Sequence, residues 1–177
     1  YTHSGSTQQY TSARLNSKVS FTYGKVMVRA KLPRAQGTWP AIWTLGSNIE
    51  TVGWPACGEI DIMEQLFEDF EMIQCAVHTP DTHGDNTIVK QVNVSDVSEN
   101  FHVYGLEWTK DKLKFYVDNI HYFTYEPENK TLKNWPYIND QYILLNIAMG
   151  GNLGGKVDPE FTQDKMEVDY VRVYQKK

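Results

Sequence analysis

The amino-acid sequence predicts an all-β protein, a sandwich or a barrel of short strands. Polar and apolar residues alternate along many short segments, the pattern of strands with one buried face. Turn residues separate these segments, and there is no amphipathic helix pattern beyond one turn near Leu132. No internal repeat or linker interrupts the 177 residues, so we expect a single domain over residues 1–177.

The composition narrows the classes of function. A net charge of −5 argues against a nucleic-acid partner. No apolar run is long enough for a transmembrane helix, so we expect no membrane insertion. No signal peptide is visible, so an exported protein would be in its mature form. The two cysteines are too few for a disulfide framework and lack zinc-site spacing.

Two strands are expected in the first part of the chain. The first covers residues 11–15 and runs to a polar break at residues 16–18. The second covers residues 21–32 and ends at Pro33. One face of the second strand is apolar and consists of Val26, Val28, Ala30 and Leu32. This alternation predicts that the second strand packs one face against a core.

A third strand, over residues 37–46, is rich in tryptophan. Trp39 and Trp43 share one face if the pairing is regular, and Ile42 takes the opposite face. A loop that contains Trp54 follows this strand.

Three carboxylates lie within six residues in the next strand. Glu59 and Asp61 alternate with apolar residues and should face away from the core. Regular alternation would turn Glu64 into the core, where an ionised carboxylate is very costly. A β-bulge at Ile62 and Met63 would return Glu64 to the face of the other two acids. We therefore expect a bulge in this strand.

We interpret the three acids as a functional site. The alternative is a strand face whose acids are simply exposed to solvent. With no basic residue among them, Glu59, Asp61 and Glu64 would repel one another without benefit to folding. They are close enough to couple their titrations. Pairing with the following strand, over residues 72–79, should place Gln74 near Glu64 and His78 near Glu59.

The rest of the chain continues as strands and turns. Strands are expected over residues 88–94, 101–108, 112–117, 120–125, 142–149 and 165–174. Tight turns are expected at residues 110–111 and 118–119. In the last strand we expect Met166, Val168, Tyr170 and Arg172 on one face, and Glu167, Asp169, Val171 and Val173 on the other. Cys57 and Cys75 should point to opposite faces of the sheet and remain free thiols.

Several motifs together carry a family resemblance. They are residues 10–14 (YTSAR), 37–43 (GTWPAIW), 53–64 (GWPACGEIDIME), 101–104 (FHVY), 145–151 (LNIAMGG) and 168–174 (VDYVRVY). The chain resembles family 16 glycoside hydrolases, in particular the laminarinase-like endo-β-1,3-glucanases. The resemblance implies a β-jelly-roll sandwich of two curved antiparallel sheets with a concave substrate cleft, as in concanavalin A-like folds. It implies that Glu59 is the nucleophile, Glu64 the general acid/base and Asp61 the residue that assists Glu59.

The resemblance also implies which residues bind substrate. Tryptophans suit the C–H faces of pyranose rings, and Trp39, Trp43 and Trp54 are candidates, although buried tryptophan is common in sandwiches. His78, Arg14 and Asn146 are further substrate-binding candidates. The alternative interpretations are a plain hydrogen-bonding residue for His78 and a surface ion pair for Arg14. Asn146 lies among apolar residues and needs hydrogen-bond partners, which the cleft would supply.

Other consequences of the resemblance concern cofactors, partners and location. Catalysis would need no cofactor, while Asp169 is either a ligand of a structural calcium or an ordinary polar strand residue. The partner would be a β-glucan polysaccharide or oligosaccharide. Members of the family usually carry several dozen more residues before the segment at Tyr10. We therefore expect either a fragment, a second polypeptide that completes the sheet, or a rearranged fold. The protein should be secreted, periplasmic or at the cell surface.

Two alternatives to a laminarinase remain open. A mixed-linkage glucanase or an algal galactanase would keep the fold and the chemistry, although residues 53–56 favour glucan. A non-hydrolytic β-glucan-binding protein would keep only the fold. Such proteins typically lose the catalytic glutamates, whereas Glu59 and Glu64 are both present.

Overall fold

The computed structural model describes residues 9–176, which form two antiparallel sheets packed face to face. The six-stranded sheet runs from edge to edge through β1 (Arg14–Phe21), β10 (Gln141–Met149), β3 (Thr38–Gly46), β4 (Glu59–Leu66), β5 (Asp69–His78) and β6 (Ile88–Asn93). The five-stranded sheet runs through β11 (Glu167–Tyr174), β2 (Gly24–Lys31), β7 (His102–Trp108), β8 (Leu113–Val117) and β9 (Ile120–Tyr125). The predicted all-β sandwich is confirmed.

The main core lies between the two sheets. The predicted apolar face of β2 is fully buried there, and β3 contributes Ile42. β4 and β5 contribute Ile60 and Ile73, and Trp108 and Trp135 are buried in the same core. Each such side chain stabilises the fold by about 1.5–3 kcal/mol when it leaves water. Period-two alternation therefore fixes which face of each central strand points inward.

The predicted bulge in β4 is confirmed. Ile42 pairs with Met63 and Trp43 pairs with Asp61, so Ile62 is the extra residue. Ile62 and Met63 are both buried in the core. The extra residue lets two consecutive apolar side chains face inward while Glu64 returns to the outer face of the sheet.

Helical structure is confined to single turns in residues 9–176. These are α1 (Ile49–Val52), α2 (Gly151–Gly154) and a 3₁₀ turn at Gly84–Asn86. In the expected turn near Leu132, the Trp135 N–H donates to the Thr131 carbonyl at 2.7 Å. No helix in the described part of the chain is long and apolar enough to cross a membrane.

The first strand differs from its prediction. β1 begins at Arg14 and continues through the polar residues 16–18, where a break was expected. Its pairing with β10 is irregular between Asn16 and Ser20. At this point the Ile143 N–H donates to the Ser17 hydroxyl at 2.9 Å. A side chain thus replaces a main-chain acceptor, which lets the strand pass through a polar segment.

The predicted orientation of the side chains in the last strand is wrong beyond Val168. Val168 pairs with Ala30 and Tyr170 pairs with Arg29, so Asp169 is an extra, bulged residue. The bulge inverts the alternation and places Val171 on the inner face together with Val168. Asp169 forms an ion pair with Arg29 at 2.7 Å.

One edge of the sandwich is open within the described residues. The inner faces of the edge strands β1 and β11 line a groove of about 340 Å³. Leu15 on β1 is 64% exposed, and Val171 on β11 is 41% exposed, although both lie on inner faces. Apolar side chains on an inner sheet face are normally covered, so this edge carries an exposed apolar surface.

Both cysteines are free, as predicted. Cys75 lies in the main core. Cys57 is also buried, but in a small separate apolar cluster with Leu45 and Leu144. Leu45 pairs with Glu59 across β3 and β4, so this cluster lies on the acidic face of the sheet.

The open edge predicts unequal effects of the same substitution at two directly paired positions. Val28→Thr puts a hydroxyl into the closed core and should cost about 1–3 kcal/mol of unfolding free energy. Val171→Thr, its paired partner on β11, should cost less than about 0.5 kcal/mol. Urea denaturation of both variants measures the difference. Equal losses would show that the groove is closed in solution.

Candidate active site

The predicted site residues converge on the outer face of the six-stranded sheet, with Asp169 as the exception. Strand pairing places this set on one face across β1, β10, β3, β4 and β5. The pairs that show this are Arg14↔Asn146, Ala41↔Asn146, Ala41↔Glu64, Trp43↔Asp61 and Glu59↔His78. Trp54 joins them from the loop before β4. Pairing across the hairpin of β4 and β5 places Gln74 beside Glu64 and His78 beside Glu59, as predicted.

Glu59 is a mostly buried carboxyl with one hydrogen-bond donor. The indole N–H of Trp54 donates to Glu59 Oε2 at 3.0 Å, and His78 Nε2 lies 3.7 Å from Oε1. Burial, followed by the negative charge of Asp61, raises the pKa of Glu59 from 4.5 to about 8. His78 and the Trp54 donor oppose this rise.

Asp61 is the most deeply buried of the three acids, with 3% of its surface exposed. Its Oδ2 atom lies 3.0 Å from His78 Nε2, yet it receives no hydrogen bond of good geometry from the described residues. Burial raises the pKa of Asp61 well above its ordinary value, and the charge of Glu64 adds to this. Asp61 therefore strongly favours its protonated form.

Glu64 is held by a donor on each oxygen. The Trp39 indole N–H donates to Oε1 at 3.0 Å, and the Gln74 amide donates to Oε2 at 3.1 Å. Burial raises the pKa of Glu64, while the Gln74 and Trp39 donors lower it. These two hydrogen bonds fix the Glu64 carboxyl in one orientation and oppose the effect of burial on its pKa, which stays above its ordinary value.

The three carboxyls thus share a small number of protons. Because burial raises all three pKa values, and neighbouring negative charges raise those of Glu59 and Asp61 further, the group resists holding three negative charges at neutral pH. A proton on Asp61 removes a negative charge that raises the pKa of Glu59, and so it favours ionisation of Glu59 beside its Trp54 donor. One ionised carboxylate and one carboxyl able to give up a proton are the groups that a two-step glycosyl transfer requires.

His78 is supported from behind by a threonine that the sequence did not single out. Thr87 Oγ1 lies 3.1 Å from His78 Nδ1 and donates to the Gly84 carbonyl at 2.7 Å. The imidazole of His78 lies beside the Trp54 ring, with centroids 5.7 Å apart. The ring of His83 meets the Trp54 ring edge-on at 5.4 Å. Trp54 is therefore held in place by two imidazoles and a carboxylate while 45% of its surface stays exposed.

A second group forms the end of the face near β1. The guanidinium carbon of Arg14 lies 4.9 Å from the centroid of the Trp43 ring. The Trp43 indole N–H donates to Asn146 Oδ1 at 2.7 Å. The arginine thus packs as a cation over an aromatic ring, and the half-buried amide oxygen accepts a hydrogen bond.

Tyr137 supports the site through the main chain. Its hydroxyl contacts the Glu59 carbonyl at 3.2 Å and the His78 carbonyl at 2.8 Å, which ties β4 to β5. Gly58 precedes Glu59 with φ of 77°, and a Cβ at this position would lie 2.9 Å from the Tyr137 ring. Only glycine suits both the conformation and the close approach. Gln74, Thr87 and Tyr137 are the supporting residues that the site prediction left out.

Asp169, for which the family resemblance implies a calcium site, has a positively charged side chain as its partner. It lies on the other sheet, half exposed, and its carboxylate is paired with Arg29 at 2.7 Å. Calcium takes six or more oxygen ligands. Within residues 9–176, the one convergent group of acidic and histidine side chains is Glu59, Asp61 and His78, far along the chain from Asp169.

Comparisons with known proteins agree with this geometry. The family model described as "Glycosyl hydrolases family 16" matches residues 3–172. The chain is 39% identical over 184 residues to a beta-glucanase of Rhodothermus marinus, a match that covers 94% of this chain and 63% of that protein. It therefore spans less than two thirds of this relative's length.

Solved structures match over almost the whole chain. A laminarinase from Rhodothermus marinus superimposes with a TM-score of 0.90 at 36% identity, covering 99% of this chain and 74% of that one. A LamA variant from Z. galactanivorans in complex with laminaritriose and laminaritetraose gives 0.88 at 46% identity, with the same coverage. The jelly-roll fold and the family resemblance are confirmed.

The donors on Glu64 lead to a test of its titration. Gln74→Leu removes a hydrogen bond that favours the carboxylate, so the pKa of Glu64 should rise further above its ordinary value. Carboxyl ¹³C NMR titration of the protein measures this shift directly. Gln91→Leu is the matched control, since Gln91 pairs with Gln74 on β6 but is exposed. An unchanged titration in Gln74→Leu would mean that this hydrogen bond does not hold Glu64 in solution.

Proposed function

The chain belongs to family 16 of the glycosyl hydrolases, and from this premise we propose that it cleaves internal β-1,3-glucosidic bonds in laminarin-type β-glucans. The observation that carries the proposal is the bulge in β4, which puts Glu59 and Glu64 on one face with Asp61 between them. We propose that Glu59 is the nucleophile, Glu64 the general acid/base and Asp61 the assisting residue.

The first half of the reaction transfers the sugar to the protein. A Glu59 oxygen attacks the anomeric carbon and forms an ester-like glycosyl bond, while the bond to the leaving oxygen breaks. Glu64 gives its proton to that oxygen. The Trp54 N–H on Glu59 Oε2 orients the carboxylate, and the Trp39 and Gln74 donors then stabilise the charge that Glu64 acquires.

The second half returns the protein to its starting state. Glu64, now a carboxylate, takes a proton from water as the water oxygen attacks the anomeric carbon and the bond to Glu59 breaks. Asp61 assists through its charge. When Asp61 is ionised it raises the pKa of Glu59, and its own pKa is raised by the charge of Glu64, so the three carboxyls titrate together. Two inversions at one carbon give net retention of configuration.

The proposed substrate rests on the shape of the face and on the relatives. Trp54 offers an exposed aromatic surface next to Glu59, and the group of Arg14, Trp43 and Asn146 extends from β3, beside β4, to the edge strand β1. A face with contacts at both ends suits internal cleavage of a chain. The LamA variant is bound to laminaritriose and laminaritetraose, which supports a β-1,3-glucan substrate.

Four further points belong to the proposal. Residues 1–177 would act as one catalytic domain. A polysaccharide does not cross membranes, so the protein would act outside the cytoplasm, secreted, periplasmic or at the cell surface. A second polypeptide that adds strands would cover the open groove at β1 and β11. The structural calcium at Asp169 stays a prediction, and the Arg29 ion pair counts against it.

Replacement of the nucleophile should separate hydrolysis from binding. Glu59→Gln should lower release of reducing ends from laminarin by about 10⁴-fold or more, because a neutral amide cannot form the glycosyl bond. Binding of laminaritetraose, measured by calorimetry, should persist. Glu99→Gln, at a surface ion pair with Arg34, is the control and should retain activity. A wild-type protein that binds laminaritetraose but releases no reducing ends would be a glucan-binding protein instead.

The stereochemical course provides an independent check. With Glu59 as a covalent nucleophile, the first product should carry the β-configuration at its new reducing end. Proton NMR during the first minutes of laminarin hydrolysis, before mutarotation, reports this anomer. Initial formation of the α-anomer would mean that a water molecule attacks directly and that Glu59 has a different role.

A further inference from the structure

Three potential metal ligands in the site point at one position. One oxygen of Glu59, one oxygen of Asp61 and one ring nitrogen of His78 lie within 4.8 Å of one another. His78 Nε2 is 3.0 Å from Asp61 Oδ2 and 3.7 Å from Glu59 Oε1. Tetrahedral coordination with bonds of about 2.0–2.2 Å places ligands about 3.4 Å apart. The spacing of these three atoms suits a small divalent cation.

The tautomer of His78 is set by its contact with Thr87. Thr87 Oγ1 uses its hydrogen to donate to the Gly84 carbonyl, so towards His78 it can only accept. Nδ1 of His78 must therefore carry a hydrogen. In the neutral imidazole this leaves Nε2 with a lone pair, directed at two carboxyl groups. Metal-binding histidines are oriented in the same way, by a hydrogen bond from the ring nitrogen that does not bind the ion.

The two carboxyls present matching free oxygens. Trp54 engages Oε2 of Glu59, and Oε1 is the oxygen nearest His78. Asp61 Oδ2 is buried and receives no hydrogen bond from the described residues. A buried oxygen without a donor, next to a nitrogen lone pair, is a costly arrangement unless a positive group joins them.

We propose that Glu59, Asp61 and His78 bind one borderline divalent cation, with Zn²⁺ as the fitting ion, and that this binding reversibly switches the site off. Zinc accepts both imidazole nitrogen and carboxylate oxygen as ligands, and its catalytic sites combine three protein ligands with an open fourth position. Mg²⁺ and Ca²⁺ prefer oxygen ligands in larger number. The ion would occupy the Glu59 oxygen needed for attack. Binding does not rest on the proposed function, whereas the loss of activity does.

A proton is the rival occupant of the same position. A hydrogen on His78 Nε2, or one on Asp61 Oδ2 directed at Nε2, would also relieve the contact between the lone pairs. The two occupants differ in a measurable way, because only a metal ion gives saturable binding with fixed stoichiometry at constant pH.

Calorimetric titration of the metal-free protein with zinc chloride at constant pH tests the proposal. One ion should bind per chain, and Co²⁺ at the same site should show the absorption of tetrahedral cobalt. Thr87→Val keeps all three ligands and removes the acceptor that orients His78, so zinc affinity should fall about 10–100-fold. His78→Gln should abolish this binding.

His102→Gln is the matched control. His102 also lies between two carboxylates, Asp96 at 3.2 Å and Asp118 at 2.6 Å, but they contact different ring nitrogens and cannot share one ion. Zinc affinity should be unchanged in this variant. Absence of saturable binding, or equal binding in wild type and Thr87→Val, would overturn the proposal and leave a proton as the occupant.

A second arm tests the switch. Zinc chloride should stop reducing-end release from laminarin, EDTA should restore it, and magnesium chloride should leave it unchanged. Zinc binding at one ion per chain with full hydrolysis would overturn the switch but leave the site. A protein with no activity under any condition would contradict the proposed function, while the calorimetric result for the metal site would stand.

Discussion

The extra residue in β4 reconciles two requirements that a regular strand would set against each other. Ile62 and Met63 both need burial, and Glu64 must stay out of the apolar core. Because side chains alternate strictly along a strand, only an inserted residue can satisfy both. The contacts of Glu64 with Trp39 and Gln74, and its position relative to Glu59, depend on this bulge.

The site holds three acids at a cost in electrostatic free energy, and its hydrogen bonds distribute that cost unevenly. Glu59 has one donor, Glu64 has two, and Asp61 has none among the described residues. Burial raises the pKa of every carboxyl in the group, and the donors oppose this rise at Glu59 and Glu64 but not at Asp61. The same deficit of positive charge at Asp61 and His78 makes the site receptive to a cation.

The sequence predicted the features of the fold and the site that depend on residues close together in the chain. The bulge followed from the parity of Glu64, and the register of β4 with β5 followed from a short turn. Asp169 shows the limit, because its bulge leaves no apolar conflict in the sequence and only the pairing with β2 reveals it. Thr87 and Tyr137 act through hydrogen bonds to residues on other elements of the fold, for which no local sequence pattern exists.

The open edge and the site are linked through β1. Arg14 contributes to the site face, and the next residue, Leu15, points into the uncovered groove. The group around Glu59 lies on β4 and β5, which have neighbouring strands on both sides and a closed core beneath them. Arg14 lies on an edge strand whose inner face lacks that cover. Whatever covers the groove would therefore stabilise the far end of the binding face more than the reacting centre.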